Sequence, residues 1–478
     1  MEWLLMVLVF GGTIPMLVSC GQFLLVGLHG LRAPYSHCGN CTPRVAFIVP
    51  AWNEGPSIQA TIQCLMQLNY PPDRVRVVVV DDASTDDTPQ ILQQAQAKYP
   101  GRVFHLRRKN GGQGKAHTLN YGLEKVLEDS WMEAVVIMDA DVLFPPPALM
   151  RMTRHLADPE VGAVTAYIKE GSRPGNMLAR FIAFEYVAAQ AAARRSQNIT
   201  GALLCMAGGA QLHTRKNLVA MGGRIKTSSL AEDTDTTLRT QLNGYKALFD
   251  GNAVVWAEEP GSLESLWKQR LRWARGNLQL TKLYRKLWFR PSVHQRLGGL
   301  WFGTVWFATV AVPLLAIGSS LGLLGLHFAN PGLASTVFKH FWMLSALVFS
   351  FITWFAILID PNTGKRSWFE GLIYPGLISL YFMLASAIQV IDSSLSLIPE
   401  SVKYLAYTWS SLNMLFIWAL YRAEKLGLPS WLRNLMVILI GYGALNGAVA
   451  CAAYVAEWKG LDRRWDKTEK SGKGRILE

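Results

Sequence analysis

The sequence predicts an α/β domain with a doubly wound parallel sheet, inserted between transmembrane α-helices. Acidic residues are concentrated between about residues 43 and 286, whereas the rest of the 478-residue chain consists largely of long apolar runs. Several of those runs reach the roughly 20 residues that a helix needs to cross a bilayer. Between residues 43 and 286, short apolar runs alternate with helical stretches, which is typical of parallel sheets whose faces are covered by helices.

Four short apolar runs predict the buried parallel strands of this sheet. They cover residues 44–50, 76–80, 102–106 and 133–138, and helical stretches extend to about residue 68 and over residues 88–98 and 115–127. Ligands of such sheets bind at the carboxyl ends of the strands. Acidic residues follow three of the four strands at that edge, namely Glu54, Asp81, Asp82, Asp139 and Asp141. The spacing therefore predicts that these carboxylates converge.

The apolar runs predict six membrane spans, with an uncertainty of about one. They lie at about residues 1–30, 297–328, 341–359, 371–391, 402–421 and 435–456. The first run is too long for a signal peptide and lacks a basic start and a small-residue cleavage site, so it predicts an anchor. The predicted organisation is an anchor at 1–30, the α/β domain at 43–280, an amphipathic interface segment at 281–296, about five transmembrane helices at 297–456 and a basic tail at 457–478.

The formal net charge of +13 comes from 47 basic and 34 acidic residues. In a membrane protein the positive-inside bias and attraction to anionic lipids explain such a charge, and no zinc-finger spacing or aromatic–basic repeat points to nucleic acid. Basic residues after the first run predict a cytosolic α/β domain in an integral protein of the plasma (inner) membrane. Six spans would place the tail on the outer side of the membrane, whereas its basic residues favour the cytosolic side. The sequence does not determine on which side the tail lies.

Two acidic clusters and one glycine-rich loop have the residue types of a catalytic centre. In Asp139-Ala140-Asp141 both carboxylates lie on one side of an extended segment, because side chains there repeat every second residue. Carboxylates suit Mg²⁺ or Mn²⁺ bound to a diphosphate, although a solvated turn explains an isolated pair equally well. The cluster at 232–235 predicts a helix cap, a general base or both. The loop at 110–115 ends in Lys115 and predicts a diphosphate contact, although it lacks P-loop spacing.

Five motifs occur in an order that resembles family 2 glycosyltransferases. They are Pro50–Glu54, Asp81–Asp86, Asp139–Asp141, Glu232–Asp233 and Gln269–Trp273. The last motif, Gln-Arg-Leu-Arg-Trp, resembles that of the processive membrane synthases of cellulose, chitin, hyaluronan and poly-N-acetylglucosamine. The resemblance covers about residues 43–277, and it departs from the family at Ala83, where Gly is more frequent, and at Ala231, where Thr is. It implies a GT-A (Rossmann-like) cytosolic glycosyltransferase domain.

On the donor side, the resemblance implies contacts to the nucleotide sugar from several motifs. The residues concerned are Glu54, Asp82, Lys115, Asp139, Gln269, Arg270 and Arg272, with Asp141 as the ligand of Mg²⁺ or Mn²⁺. Asp82, with Glu54 and Lys115 nearby, would hold the uridine end of the donor. The planar guanidinium groups of the last motif would pair with oxygens of the diphosphate.

On the acceptor side, the resemblance implies that Asp233 is the general base and that Trp273 stacks on the acceptor sugar. Glu232 and Gly209 are implied to lie beside the acceptor, and residues 184–186 fall where the family places further acceptor contacts. Attack opposite an α-linked leaving group would give a β linkage.

The sequence therefore predicts an inverting hexosyltransferase that polymerises a β-linked polysaccharide from a UDP-sugar and exports it across the membrane. Its expected partners are the UDP-sugar donor, the growing polysaccharide, membrane lipids and accessory export or regulatory subunits, without nucleic acid. Two alternatives stay open: a membrane enzyme that adds one sugar to a lipid carrier or glycolipid, and a transporter whose α/β domain senses a nucleotide. The motifs do not distinguish the donor sugar or the linkage position.

Overall fold

The computed structural model describes residues 1–32, 35, 38–172, 176–395 and 397–462. Most of the predicted basic tail lies outside the described residues. Two helices precede the α/β domain, α1 (Glu2–Gly11) and α2 (Ile14–Arg32). The helices of the domain are α3 (Gly55–Met66), α4 (Thr88–Lys98), α5 (Lys115–Glu128), α6 (Ala148–Thr153), α7 (Met177–Glu185), α8 (Ala192–Thr200), α9 (Arg215–Ala220), α10 (Glu232–Leu242) and α11 (Leu263–Leu283). The helices after it are α12 (Leu300–Val310), α13 (Val312–Ala329), α14 (Pro331–Ile359), α15 (Pro361–Leu372), α16 (Leu377–Ile391), α17 (Lys403–Lys425), α18 (Ser430–Ile440) and α19 (Ala444–Trp458).

The four predicted strands form one half of an eight-stranded sheet in the described part of the chain. They are β1 (Val45–Ala51), β2 (Val75–Asp81), β3 (Val103–Arg107) and β4 (Ala134–Met138). Their order is β3-β2-β1-β4, with all neighbours parallel. Residues 45–49 of β1 are buried, as expected of a parallel strand covered by helices on both faces. These strands and the predicted helices α3, α4 and α5 are confirmed.

The other half of the sheet corrects the prediction of a wholly parallel arrangement. Its strands are β5 (Val142–Leu143), β6 (Val161–Glu170), β7 (Ala210–Thr214) and β8 (Lys246–Ala257). β7 is antiparallel to β4 and to β6, β8 is parallel to β6, and β5 is antiparallel to β8. A parallel pair needs a crossover that packs on the sheet, whereas the connection from β6 to β7 runs through α7 and α8, which pack on α15 and α2. β7 therefore returns antiparallel, and the α/β sheet is mixed.

In the described part of the chain, three helices are long and apolar enough to cross a membrane, namely α2, α13 and α14. The number rises to five if each bent pair counts as one span, with bends of 79° between α15 and α16 and 95° between α18 and α19. This count rests on length and composition. It is lower than the six expected spans, partly because α17 does not meet the same criteria.

Four of the expected spans are broken rather than continuous. The run at 1–30 breaks after Gly11, and the run at 297–328 breaks at Ala311, just before Pro313 in the first turn of α13. The last two breaks contain Gly376 and Gly441, whose φ angles of 87° and 104° favour glycine. Proline and positive-φ glycine thus end helices that the apolar pattern alone joins together.

The segment at 281–296, expected to be amphipathic, consists mainly of turns. Leu287 and Trp288 are buried, and the Trp288 ring stacks on Trp306 of α12 with centroids 4.8 Å apart. Phe289 is 46% exposed, so the apolar side chains of the segment divide between the protein interior and the surface. The expected interface segment stays a prediction.

An amphipathic helix also occurs at α15, after the expected span at 341–359. Its Trp368 is 54% exposed, whereas Glu370 is buried and pairs with Arg180 of the α/β domain at 2.8 Å. Lys169 of β6 pairs with Asp360, which caps α15, at 2.6 Å. These ion pairs fix the α/β domain to the membrane helices.

Candidate active site

The carboxyl edge of the parallel half-sheet opens into a cavity of about 850 Å³. Asp81 and Phe184, also expected at this site, are buried and do not line the cavity, whereas the predicted donor-binding, catalytic and metal residues and the main acceptor residues do. The residues that line it are Glu54, Asp82, Lys115, Asp139, Asp141, Gly209, Glu232, Asp233, Gln269, Arg270, Arg272 and Trp273. The same cavity continues between α2, α12 and α19, where Val18, Val305 and Ala453 line it. The five motifs thus converge on one space that joins the sheet edge to the membrane helices.

Asp82, directly after β2, is held by two donors that leave its carboxylate in the cavity. The Gly112 N–H donates to Asp82 Oδ2 at 2.9 Å, and Arg108 forms an ion pair with Oδ1. Arg108 also donates to Gln113 in the glycine-rich loop. Sequence reasoning missed Arg108, although the basic run directly after β3 was a signal that could have pointed to it. Together these contacts fix the loop against the carboxylate.

Two loops at the sheet edge hold each other in left-handed backbone conformations. Asn53 and Ala83 have φ angles of 53° and 57°. The Asn53 N–H donates to Ser84 Oγ at 2.9 Å, and Asn53 Oδ1 accepts from the Thr85 N–H at 2.8 Å. Because a positive φ favours glycine, the structure explains why Gly is the more frequent residue at position 83. The adjacent Glu54 caps α3 and lies at the cavity edge.

Lys115, at the start of α5, lies among the carboxylates of the cavity. Its Nζ forms an ion pair with Asp139 and donates to the Gly208 carbonyl oxygen at 3.0 Å. Burial disfavours the charged amine, but Asp139, Glu232 and Asp233 outweigh that effect and raise the pKa of Lys115. The lysine is therefore a permanent positive charge where a diphosphate would need one.

Asp139, Ala140 and Asp141 all line the cavity. They form a turn after β4, in which the Val142 N–H donates to the Asp139 carbonyl oxygen at 3.3 Å, so the expected alternation along an extended segment is wrong. No group of three or more His, Cys, Asp or Glu side chains in the described residues is arranged to hold a metal ion. Mg²⁺ usually binds through one or two carboxylates plus substrate phosphates. This pair fits that donor set and not a metal site made of protein ligands alone.

Glu232 and Asp233 occupy the first turn of α10, where the helix dipole favours negative charge. Asp233 Oδ1 accepts the Thr234 N–H at 2.8 Å. A Cβ at Gly208 would lie 3.1 Å from Asp233 Oδ2 and 3.6 Å from Lys115 Nζ, so this glycine keeps the space beside the carboxylate open. Burial and the neighbouring Asp233 raise the pKa of Glu232, although Lys115 opposes this effect. The two carboxylates therefore lie in different electrostatic environments.

Gln269, Arg270, Arg272 and Trp273 lie on the cavity-lining side of α11. Gln269 Oε1 is buried and has no hydrogen-bond partner among the described residues, as expected of a group that awaits a ligand. Arg270 forms two contacts within the protein. Its Nη2 donates to Glu185 at 2.8 Å, and its guanidinium lies 4.2 Å from the Trp273 ring centroid. Its contact with a diphosphate stays a prediction, whereas its contact with Glu185 is observed.

Helices of the membrane region hold α11 at both ends. Near its start, the Glu264 N–H donates to Glu424 of α17 at 2.8 Å, and Trp267 stacks on Tyr421 with centroids 4.4 Å apart. Towards its end, Arg275 Nε donates to Glu457 of α19 at 2.6 Å. The position of the active-site helix therefore depends on the membrane helices.

A family model described as glycosyltransferase-like family 2 matches residues 43–276. The chain is 30% identical over 237 residues to a probable glycosyltransferase, YdaM, of Bacillus subtilis, a match that covers 49% of this chain and 55% of that protein. It is 33% identical over 237 residues to the beta-monoglucosyldiacylglycerol synthase of a Synechocystis species, covering 50% of this chain and 48% of that protein. It thus spans about half the length of these two relatives.

A third relative matches beyond the α/β domain. It is a poly-beta-1,6-N-acetyl-D-glucosamine synthase of Staphylococcus epidermidis, 24% identical over 379 residues that cover 77% of this chain and 86% of that protein. Among solved structures, a mannosyltransferase of Pyrobaculum calidifontis in complex with GDP-Man and Mn²⁺ aligns with a TM-score of 0.49 and 23% identity, over 80% of this chain and 100% of that one. The family match and the mixed α/β sheet confirm the predicted GT-A (Rossmann-like) fold class.

Proposed function

We propose that the chain is an inverting, processive membrane glycosyltransferase, because a model of glycosyltransferase-like family 2 matches residues 43–276. It transfers a hexose from a UDP-sugar to the end of a growing β-linked polysaccharide and passes the product between its membrane helices. The observation that carries this proposal is the cavity, in which the sheet-edge carboxylates, the α11 motif and the walls of α2, α12 and α19 enclose one space. The Staphylococcus epidermidis synthase, which aligns over 77% of the chain, supports a polysaccharide product.

The donor would lie along the sheet edge. An ionised carboxylate only accepts hydrogen bonds, so Asp82, fixed by Arg108 and Gly112, suits the N3–H of uracil or a ribose hydroxyl. Glu54 would approach the same end of the donor. Lys115 and Arg272 would face the diphosphate, with the unpartnered oxygen of Gln269 close by.

Asp139 and Asp141 would hold Mg²⁺ or Mn²⁺ together with the diphosphate. The bound ion would neutralise charge on the leaving group. Asp139 also forms an ion pair with Lys115, which would face the same diphosphate.

The transfer would be one displacement at the anomeric carbon. Asp233 takes the proton of the attacking acceptor hydroxyl, the new glycosidic bond forms, and the bond to the diphosphate oxygen breaks. The nucleoside diphosphate leaves with the electron pair, and the charges of Lys115 and Arg272 stabilise it. Gly208 leaves space beside the base for the acceptor, and Trp273 stacks on the acceptor sugar.

The membrane half of the molecule would receive the product. We place the α/β domain on the cytosolic side of the plasma (inner) membrane, because basic residues follow the first membrane helix. Membrane lipids and accessory export or regulatory subunits are the further partners of this proposal.

Full-length protein in detergent, incubated with labelled UDP-glucose or UDP-N-acetylglucosamine and Mg²⁺ or Mn²⁺, tests the proposal. We expect label in long β-linked chains, and we expect Asp233→Asn to abolish incorporation while donor binding is kept. Asp235→Asn is the matched control, because Asp235 accepts from Tyr284 at 2.7 Å and does not line the cavity. Incorporation by Asp233→Asn at the wild-type rate would contradict the role of Asp233 as the base, whereas no incorporation by the wild type from either donor would favour a nucleotide-sensing transporter.

Addition of a single sugar to a lipid is the second candidate. Its support is the apolar lining of the membrane half of the cavity, where Val18, Val305, Ala308, Val449 and Ala453 suit acyl chains. The Synechocystis relative, a beta-monoglucosyldiacylglycerol synthase, points the same way. Product sizing separates the two candidates: a ladder or polymer supports polysaccharide synthesis, whereas one discrete glycolipid supports the lipid acceptor.

A further inference from the structure

A buried carboxylate joins the active-site helix to the membrane helices. Glu185, the last residue of α7, is 7% exposed and accepts a hydrogen bond from Arg270 Nη2 at 2.8 Å. The same carboxylate accepts from the Tyr442 hydroxyl at 2.9 Å and from Asn446 Nδ2 at 3.3 Å. Burial disfavours the charged guanidinium, but Glu185 outweighs that effect and raises the pKa of Arg270. An ionised pair therefore sits between α11 and the last membrane helices.

The backbone fixes the membrane side of this cluster. Tyr442 lies in the break between α18 and α19, beside Gly441. A Cβ at Gly441 would lie 2.4 Å from the Pro375 carbonyl oxygen, and one at Gly376 would lie 2.4–2.5 Å from backbone atoms of the α18–α19 break. The breaks of both bent helix pairs thus pack backbone against backbone. The Tyr442 ring also stacks on Phe181, with centroids 5.2 Å apart and planes within 6°, so its hydroxyl is held towards Glu185.

The catalytic side of the cluster leads to Trp273. Arg270 and Trp273 are three residues apart on one face of α11, and the guanidinium lies 4.2 Å from the ring centroid. Such a cation–π contact holds a ring most strongly where water is excluded. Both side chains line the cavity. The orientation of Trp273 therefore depends on where the guanidinium of Arg270 is held.

We propose that Glu185 is a positioning residue, which holds Trp273 through Arg270 and ties it to the break in the last membrane helix. This rests on the proposed function, in which Trp273 stacks on the acceptor sugar. Without the carboxylate, Arg270 keeps a buried charge that has lost its closest counter-ion, and the ring loses its fixed partner. Asp139 and Asp233 are held by other elements, so donor binding and proton removal persist.

A poorly held acceptor leads to a specific side reaction, hydrolysis of the donor. Water then replaces the acceptor hydroxyl: Asp233 takes its proton, the anomeric carbon bonds to the water oxygen, and the diphosphate leaves as before. Donor is consumed and free sugar is released. The ratio of UDP released to sugar incorporated therefore reports acceptor positioning separately from donor binding.

Glu185→Gln in the full-length protein tests the proposal, with UDP-N-acetylglucosamine and UDP-glucose as probes and Mn²⁺ present. For the donor that the wild type incorporates, we expect the donor KM to change less than about twofold and the UDP-to-incorporation ratio to rise about tenfold, with shorter products. Glu370→Gln is the matched control: this buried carboxylate pairs with Arg180 at 2.8 Å at the same junction, and neither residue lines the cavity. Its ratio stays at the wild-type value.

A double variant shows whether Glu185 acts through Arg270. Glu185→Gln combined with Arg270→Gln is expected to match Arg270→Gln alone, because two residues in one chain of contacts are not additive. An unchanged ratio in Glu185→Gln, or an effect confined to the donor KM, overturns the proposal. If Glu185→Gln does not fold, Tyr442→Phe is used in its place, because it keeps the ion pair between Glu185 and Arg270 and removes only the tyrosine hydroxyl. We expect its UDP-to-incorporation ratio to rise about two- to threefold, and an unchanged ratio overturns the proposal. Failure of the wild type to incorporate sugar from either donor would instead remove the proposed function itself.

Discussion

Gly276 sets the distance between α11 and the segment that leads into α10. A Cβ at Gly276 would lie 2.6 Å from Ala231 Cβ and 2.7 Å from Ala231 N, whereas ordinary contacts begin at 3.4 Å. Gly276→Ala must therefore separate the two by about 0.8 Å, the difference between 3.4 and 2.6 Å. Ala231 directly precedes Glu232 and Asp233, and Gly276 lies three residues after Trp273. The added methyl group thus moves the proposed base away from the proposed acceptor platform.

A misplacement of about 1 Å at a reacting centre costs roughly 100-fold in rate. We therefore expect kcat for sugar incorporation to fall roughly 10- to 100-fold in Gly276→Ala. Overpacking costs about 1–3 kcal/mol, so thermal unfolding in detergent should show a Tm lower by several degrees. Gly27→Ala on α2, where a Cβ meets nothing within 4 Å, is the control and should match the wild type. Wild-type kcat and Tm in Gly276→Ala would refute the reasoning, since the gap would then absorb a methyl group.

Two further variants test the donor end of the site and an ion-pair cluster within the α/β domain. Arg108→Gln removes a charge-assisted bond to Asp82, so the dissociation constant of UDP should rise about tenfold by calorimetry, whereas exposed Lys109→Gln should leave it unchanged. Burial opposes ionisation of Asp250, but His155 and Arg154, at 2.7 and 2.6 Å, outweigh it and lower the pKa of that carboxyl. Because the folded pKa is depressed, the stabilisation is complete above the unfolded value of about 3.9 and is lost as pH falls through the folded pKa. Asp250→Asn should therefore destabilise by about 3 kcal/mol at pH 7 and much less near pH 3 in urea unfolding; an equal loss at both would contradict this account.

The parallel half of the sheet was predictable because β1, β2 and β4 are uninterrupted apolar runs. β7 was not, because it carries Gln211 and His213, which are polar yet buried. They satisfy each other, with His213 Nε2 and Gln211 Oε1 3.0 Å apart, and burial lowers the pKa of His213 to about 4. Apolar and polar residues alternate in β7 over only five positions, which is typical of a half-exposed strand and gives no sign that both faces are buried. The position of β7 inside the sheet, between β4 and β6, therefore could not be predicted from this pattern.

The site was predictable where its residues follow strands directly, as Asp82, Asp139 and Asp141 do. Each carboxylate reaches the cavity because a strand ends at it. Arg108 also follows a strand directly, but its partner Asp82 lies 26 residues away in the chain. Glu185 has no such local signal, and its partner Arg270 lies 85 residues away. Their roles appear only when the tertiary contacts are known. The contact of Arg270 with Glu185, which the expectation of a diphosphate contact did not include, is likewise visible only in the structure.

The two sides of the proposed reaction are held by different parts of the molecule. Asp233 is placed by α10 and the mixed sheet, whereas Trp273 is placed by α11, which Glu424 and Glu457 fix to α17 and α19. The distance between base and acceptor platform is therefore a relation between the α/β domain and the membrane helices. Besides the α15 ion pairs, that relation depends on the Gly276–Ala231 contact. A movement of the membrane helices that accompanies passage of the product would thus act directly on the acceptor side, while the donor side stays in place.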